Sequence, residues 1–148
     1  MVNVGEEAPD FELKDQFEKA VTLKEHNGGK VLLAFFPFAF SPVCTDEMKC
    51  FQDDLSELEN LGVHVIAISI DSDWSQKAWA EQLGIKYHVL SDFSRDVCKL
   101  YDTLRPEGFS ERAYFLIDEN GIVKWKHIMS TPAERLENKE IIAAIKNI

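Results

Sequence analysis

The sequence predicts an α/β domain with a central mixed β-sheet flanked by helices, and three observations carry that reading. Val31-Leu32-Leu33-Ala34-Phe35-Phe36 is a continuous apolar run, which a strand tolerates only where both faces are covered, as in a parallel sheet under helices. A second apolar run, 63–70, follows a stretch of helical periodicity, so the two strands form a β-α-β crossover. Two further apolar segments, 112–118 and 122–128, flank Glu119-Asn120-Gly121. Asn-Gly in that position is a strong hairpin signal and adds an antiparallel pair.

In chain order, residues 11–14 and 20–23 read as two short strands around a polar turn, an N-terminal β-hairpin. Asn27-Gly28-Gly29 breaks the chain before the central strand, 31–36. A helix over 45–61 ends at Gly62, where a left-handed cap costs glycine little. The strand 63–70 returns. Ser72 and Asp73 cap a helix running to Leu83 and closed by Gly84. Residues 89–90 form a short strand, and 94–104 a helix with Phe93, Val97, Tyr101 and Leu104 on one face, ended by Pro106 and Gly108. After the hairpin, a last helix from residue 131 or 135 to 147 lays Leu136, Ile141, Ile142 and Ile145 on the sheet. The order β-α-β, β-α, β-β-α is the thioredoxin-like arrangement, one domain over 1–148, with no internal repeat.

Composition narrows the function. At 148 residues, 45% hydrophobic and 28% charged, the chain can bury a core without staples and is not of the disordered class. A net charge of −10 argues against nucleic acid and anionic membrane surfaces, which demand clustered Lys and Arg. Partners are expected to be small molecules or proteins. The start, Met1-Val2-Asn3-Val4-Gly5, has neither a basic nor an apolar leader pattern, which places the protein in the cytoplasm. Cys44, Cys50 and Cys98 are an odd number at spacings that suit neither a disulfide scaffold nor zinc. His26, His64, His88 and His127 are scattered and suggest no metal, and Trp74, Trp79 and Trp125 read as packing residues.

The chemistry concentrates in Pro37-Phe38-Ala39-Phe40-Ser41-Pro42-Val43-Cys44, where the central strand stops and a helix starts. Unpaired N–H groups and the helix dipole favour a thiolate in a first helical turn, and the thiolate is the nucleophile. Met48, Phe51, Leu55 and Leu58 fall within about 40° of Cys44 on a helical wheel, so the sulfur starts on the inward face, at the floor of a pocket. From the residues alone, a buried small hydrophobe is an equal reading of Cys44.

Pro-x-x-x-Ser-x-x-Cys after a hydrophobic strand resembles the signature of the peroxiredoxins, thiol peroxidases on a thioredoxin fold. Two further stretches are collinear with it: Gly5-Glu6-Glu7-Ala8-Pro9-Asp10-Phe11-Glu12-Leu13 and Arg112-Ala113-Tyr114-Phe115-Leu116-Ile117-Asp118. The resemblance implies that Cys44 is oxidised by hydrogen peroxide or an alkyl hydroperoxide to a sulfenic acid and regenerated by a thiol reductant, a thioredoxin-like protein or a small thiol, with no cofactor. Pro37 would shield the thiolate and Ser41 would offer its hydroxyl to the site. Arg112 would hold thiolate and peroxide. That arginine has independent support: if its strand runs antiparallel beside 31–36, its beginning meets the carboxyl end where Cys44 sits. Glu47 matches a supporting glutamate of many relatives, and is equally explained by the helix dipole.

Two other readings compete. A thioredoxin-like disulfide oxidoreductase needs Cys-x-x-Cys, but the position three after Cys44 is Glu47. A non-catalytic thioredoxin-fold binding protein would be expected to have lost Cys44, Ser41 or Arg112. The sequence ends at Ile148 without the cysteine-bearing extension of typical two-cysteine peroxiredoxins, and so resembles the smaller Q-type or one-cysteine members. Relatives are monomers or dimers, so a homodimer is among the expected states. Many Q-type members carry a resolving cysteine five residues after the nucleophile; here that position is Lys49, and Cys50 follows. Six helical residues rise about 9 Å, against the roughly 7 Å between Cα atoms that a disulfide spans. Resolution by Cys50 therefore requires unwinding, Cys98 reads as a packing thiol, and a one-cysteine mechanism is the expectation.

Overall fold

A computed structural model describes residues 2–148. Seven strands form one sheet in the order β2-β1-β5-β4-β3-β6-β7. The strands are β1 (Glu12–Lys14), β2 (Ala20–Thr22), β3 (Lys30–Phe35), β4 (Val63–Ser69), β5 (His88–Ser91), β6 (Ala113–Ile117) and β7 (Val123–Ile128). β3, β4 and β5 are parallel, and the apolar runs of β3 and β4 lie at the sheet centre as expected of covered strands. β6 lies antiparallel on β3 with Phe35 opposite Ala113, and β7 antiparallel on β6. The N-terminal hairpin β1–β2 joins through the single pairing of Lys14 with Ser91. With flanking helices this is the thioredoxin-like architecture.

Alternate residues of β3 enter two cores. Leu32, Ala34 and Phe36 pack with Cys44, Met48, Phe51, Leu58, Trp79, Ile141 and Ile145 on one face of the sheet. Val31, Leu33 and Phe35 pack with Ile66, Ile68, Val97, Cys98 and Tyr101 on the other. The side-chain period of two along a strand makes this split.

The helices are α1 (Pro42–Asp53), α2 (Leu55–Asn60), α3 (Asp73–Leu83), α4 (Asp96–Leu100) and α5 (Asn138–Lys146). α3 keeps the expected ends: the Ser72 hydroxyl accepts from the Ser75 N–H, and Gly84 turns left-handed at φ 68°. The other helices differ from expectation, each for a local reason. The first begins three residues early, because Pro42 occupies its first position, where a missing N–H costs nothing. It then breaks at Asp54, where Asn138 Nδ2 donates to the Cys50 carbonyl and the Asp54 carboxylate. α4 is shorter than 94–104: Arg95 sits at φ 71°, and Asp92 accepts from the N–H groups of Val97 and Cys98 in place of a preceding turn. Phe93 accordingly leaves the helical face and is 67% exposed. The last helix begins at Asn138 rather than 131 or 135, since within 130–137 the Pro132 carbonyl accepts from Arg112 and the Leu136 N–H donates to Tyr114. Among the described residues no helix is long and apolar enough to cross a membrane.

Candidate active site

The site forms where β3 ends. Pro37 is buried two residues beyond it, and the loop to α1 passes through Phe40 in the left-handed region, φ 69°, a conformation uncommon for a non-glycine residue. The Ala39 N–H donates to Asp71 (2.8 Å) after β4, so neighbouring strand ends hold the loop. Ser41 is the N-cap by backbone position, its carbonyl accepting from the Thr45 N–H. Its hydroxyl donates to the Phe38 carbonyl (2.9 Å) rather than to the helix end, the thiol or Arg112.

Cys44 is the third residue of α1, in the first turn, on the same face as Met48 and Phe51. The thiol is sealed rather than set at the floor of an open pocket, with 0% of the residue exposed. Trp79 Nε1 donates to Thr45 Oγ1 (3.2 Å) and ties this turn to α3.

Arg112 reaches the sulfur. The antiparallel register of β6 on β3 brings its start to the carboxyl end of β3, and Nη2 donates to Cys44 Sγ at 3.1 Å. Nη1 donates to Glu47 Oε1 (2.8 Å), and Nε and Nη2 both donate to the Pro132 carbonyl, at 3.1 and 2.9 Å. Both members of the Arg112–Glu47 ion pair are 1% exposed. Such a pair tolerates burial only when its remaining polar atoms are satisfied, and here they are: the Tyr114 hydroxyl donates to Glu47 Oε2 and accepts from the Leu136 N–H (3.2 Å). Burial works against the Arg112 charge, but Glu47 and Cys44 beside it outweigh that and hold its pKa above the usual value. Burial raises the Glu47 carboxyl above its usual value, and Arg112 and Tyr114 offset only part of the rise. The result is a buried, fixed cation on a sulfur, an arrangement able to hold negative charge on sulfur and on an incoming oxygen.

A sequence pattern described as the AhpC/TSA family matches residues 4–126. Alkyl hydroperoxide reductase E of Mycobacterium bovis is 39% identical over 138 residues, covering 90% of each chain. A peroxiredoxin of Thermoplasma volcanium is 35% identical over 153 residues, covering 98% of this chain and 74% of its own. The chain belongs to the peroxiredoxin family. It is a thiol-dependent peroxidase. The fold agrees: the reduced 2-Cys peroxiredoxin of Plasmodium vivax superposes with a TM-score of 0.90 at 30% identity, covering 99% of this chain and 81% of that one.

The other thiols of this peroxiredoxin lie apart from Cys44. Cys50 is half-buried on α1 and faces Arg135, whose Nη2 is 3.5 Å from its sulfur and 2.8 Å from Asp46. Burial raises its pKa. Cys98 lies in the core on the opposite face of the sheet, where burial and then Asp92 push its thiol up to about 12. Arg95 binds the Gly108 carbonyl and Arg105 pairs with Glu107 and Glu111, so neither serves the site.

Three histidines expected to be scattered in fact meet at the amino ends of β4 and β5: the His26 ring lies 5.4 Å from His64 and 5.6 Å from His88. Among the described residues no three His, Cys, Asp or Glu side chains are grouped to hold a metal ion. Trp79 is core, whereas Trp74 is 76% exposed. Tyr114 and Pro132 are site components that the sequence reading passed over. Tyr114 was readable, since it is two residues from Arg112 and a strand repeats its face every two residues. A backbone carbonyl such as that of Pro132 leaves no side-chain signal.

Proposed function

We propose that Cys44 is the peroxidatic residue and reduces hydrogen peroxide or an alkyl hydroperoxide. The observation that carries this is the Arg112 guanidinium 3.1 Å from a sulfur in a first helical turn. The thiolate attacks the terminal peroxide oxygen, an S–O bond forms as the O–O bond breaks, and the departing oxygen takes a proton and leaves as water or an alcohol. Sulfur is oxidised by two electrons to the sulfenic acid. A reductant thiol then displaces water from it to give a mixed disulfide, and a second thiol releases Cys44.

The thiol that resolves the sulfenic acid comes from outside the chain, a one-cysteine cycle. α1 is unbroken from Cys44 to Cys50, so the rise of about 9 Å stands, and Cys50 faces Arg135. Cys98 is across the sheet. Treating the protein with one equivalent of peroxide and mapping its peptides without reduction tests both points. A sulfenic acid on Cys44 with Cys50 and Cys98 free is expected, together with loss of turnover in Cys44→Ser. A stoichiometric Cys44–Cys50 crosslink would refute the one-cysteine cycle, and a Cys44→Ser chain that still turns over would refute the nucleophile.

We infer also that the protein self-associates as a homodimer. Phe38, Phe40, Trp74 and Phe93 are 39, 53, 76 and 67% exposed, and Trp74 and Phe93 line one concavity. The Ala39–Asp71 bond sets Phe38 and Phe40 beside the turn leading to Trp74. Contiguous exposed apolar groups mark interaction surfaces. Sedimentation velocity of wild type and Trp74→Glu should show a dimer converted to monomer; two identical profiles would remove this surface from consideration.

A further inference from the structure

We propose that Tyr114 is a positioning residue of this peroxidase: its single hydroxyl anchors both of the groups that hold the Arg112 guanidinium against Cys44. The proposal rests on the assignment of Cys44 as the peroxidatic thiol.

Arg112 is aimed by two acceptors besides the sulfur. One is Glu47, through Oε1; the other is the Pro132 carbonyl, which takes Nε–H and one Nη2–H. Tyr114 touches the supports of both. Its O–H donates to Glu47 Oε2, the oxygen that Arg112 does not use, and its oxygen accepts from the Leu136 N–H, four residues along the irregular segment that carries Pro132. Among the described residues, Arg112 and Tyr114 are the side chains that hydrogen-bond the Glu47 carboxyl group.

Location makes this link rigid. Tyr114 is 0% exposed, opposite Ala34 on β3 in the core that contains Cys44. A carboxyl group buried this deeply has no water to replace a lost donor. The charged or titratable groups around Glu47 are Arg112 and Tyr114 from β6 and its start, Cys44 on its own helix, Arg135 from 130–137, and Tyr87 before β5. Without the phenol, Glu47 can turn away from Nη1, and the segment bearing Pro132 loses its tie to β6. Arg112 then keeps its charge but loses its aim.

Tyr114→Phe removes the hydroxyl and keeps the ring that packs in the core. The second-order rate constant for oxidation of Cys44 by hydrogen peroxide, followed by stopped-flow tryptophan fluorescence or by quenched mass spectrometry, should fall about tenfold, the loss typical of a hydrogen bond to a charged group. Two further readouts separate positioning from general loosening. In an Arg112→Met background the same substitution should change the rate by less than about twofold, because residues that act through one another do not add. The acid limb of the pH–rate profile of Tyr114→Phe should move to higher pH, since Glu47 deprived of a donor takes a proton more readily. Glu47→Gln probes the link from the other side and is expected to couple to Arg112→Met in the same way, so a Tyr114→Phe chain too unstable to assay leaves the test intact. A wild-type rate in Tyr114→Phe, a full tenfold loss persisting without Arg112, or a rate lowered equally at every pH would overturn the proposal. If wild-type Cys44 resists peroxide, the peroxidase assignment itself fails; if wild type reacts and Arg112→Met is slow while Tyr114→Phe is not, only the role of Tyr114 fails.

Discussion

Arg112 is costly to bury, and its cost is met by acceptors on every side: a carboxyl group, a carbonyl and the Cys44 sulfur, with 1% of its side chain exposed. A cation so enclosed is preorganised, the condition under which a donor lowers the barrier to a step that develops negative charge beside it. Arg112→Met keeps length and loses the donors. The rate constant for sulfenic acid formation is expected to fall roughly a hundredfold, on the order of 3 kcal/mol of transition-state stabilisation; an unchanged stopped-flow rate would show that another cation serves the sulfur. Much of this residue-level arrangement was legible in the chain. Cys44 and Glu47 are three apart on a helix, so they share a face, and β6 running antiparallel beside β3 brings Arg112 to the end of β3. Ser41 was less legible, because a loop hydroxyl chooses among several nearby carbonyls and settles on Phe38.

At the scale of elements, the sequence was readable wherever one residue has one physical use. The apolar runs of β3 and β4 could only be covered strands, and Ser72 and Gly84 bound α3 by side-chain oxygen and by left-handed backbone. Elements were misjudged where a residue has two uses. Pro42 punctuates a loop as readily as it opens a helix, and it opens α1. The periodicity of 94–104 fits a long helix, yet Arg95 turns left-handed and Asp92 provides the cap from outside the helix, a tertiary choice that no spacing announces. Residues 130–137 fit a helix start equally well. Their groups are claimed by partners distant in sequence: the Pro132 carbonyl by Arg112, the Leu136 N–H by Tyr114, and the Arg135 side chain by Asp46. That segment, irregular in itself, is held by side chains of the candidate site.

Stability of the whole molecule should depend on pH through the end of the sheet opposite the candidate site. His26, in a single turn before β3, is half-buried against His64 and His88, with its Nδ1 3.3 Å from the Thr22 carbonyl. Its pKa lies below the ordinary 6.5, first because burial disfavours the charged ring and further because His88 and His64 repel a second charge; the Thr22 carbonyl and Glu25 offset part of this. His88 is bound to the buried Asp15 (3.1 Å), which places another potential cation beside His26. A histidine whose folded pKa is lowered binds fewer protons in the native state than in the unfolded chain, so unfolding takes up protons and stability rises with pH. The contribution is therefore complete above 6.5 and is lost as pH falls through that value towards the folded pKa. Thermal unfolding between about pH 7.5 and 5.5, a window chosen to stay above the usual carboxylate range, should show the midpoint falling with acidification in wild type. His26→Gln keeps a donor for Thr22 and cannot charge, so its midpoint should fall less over the same window. Parallel slopes for the two proteins would show that His26 does not set the acid limit.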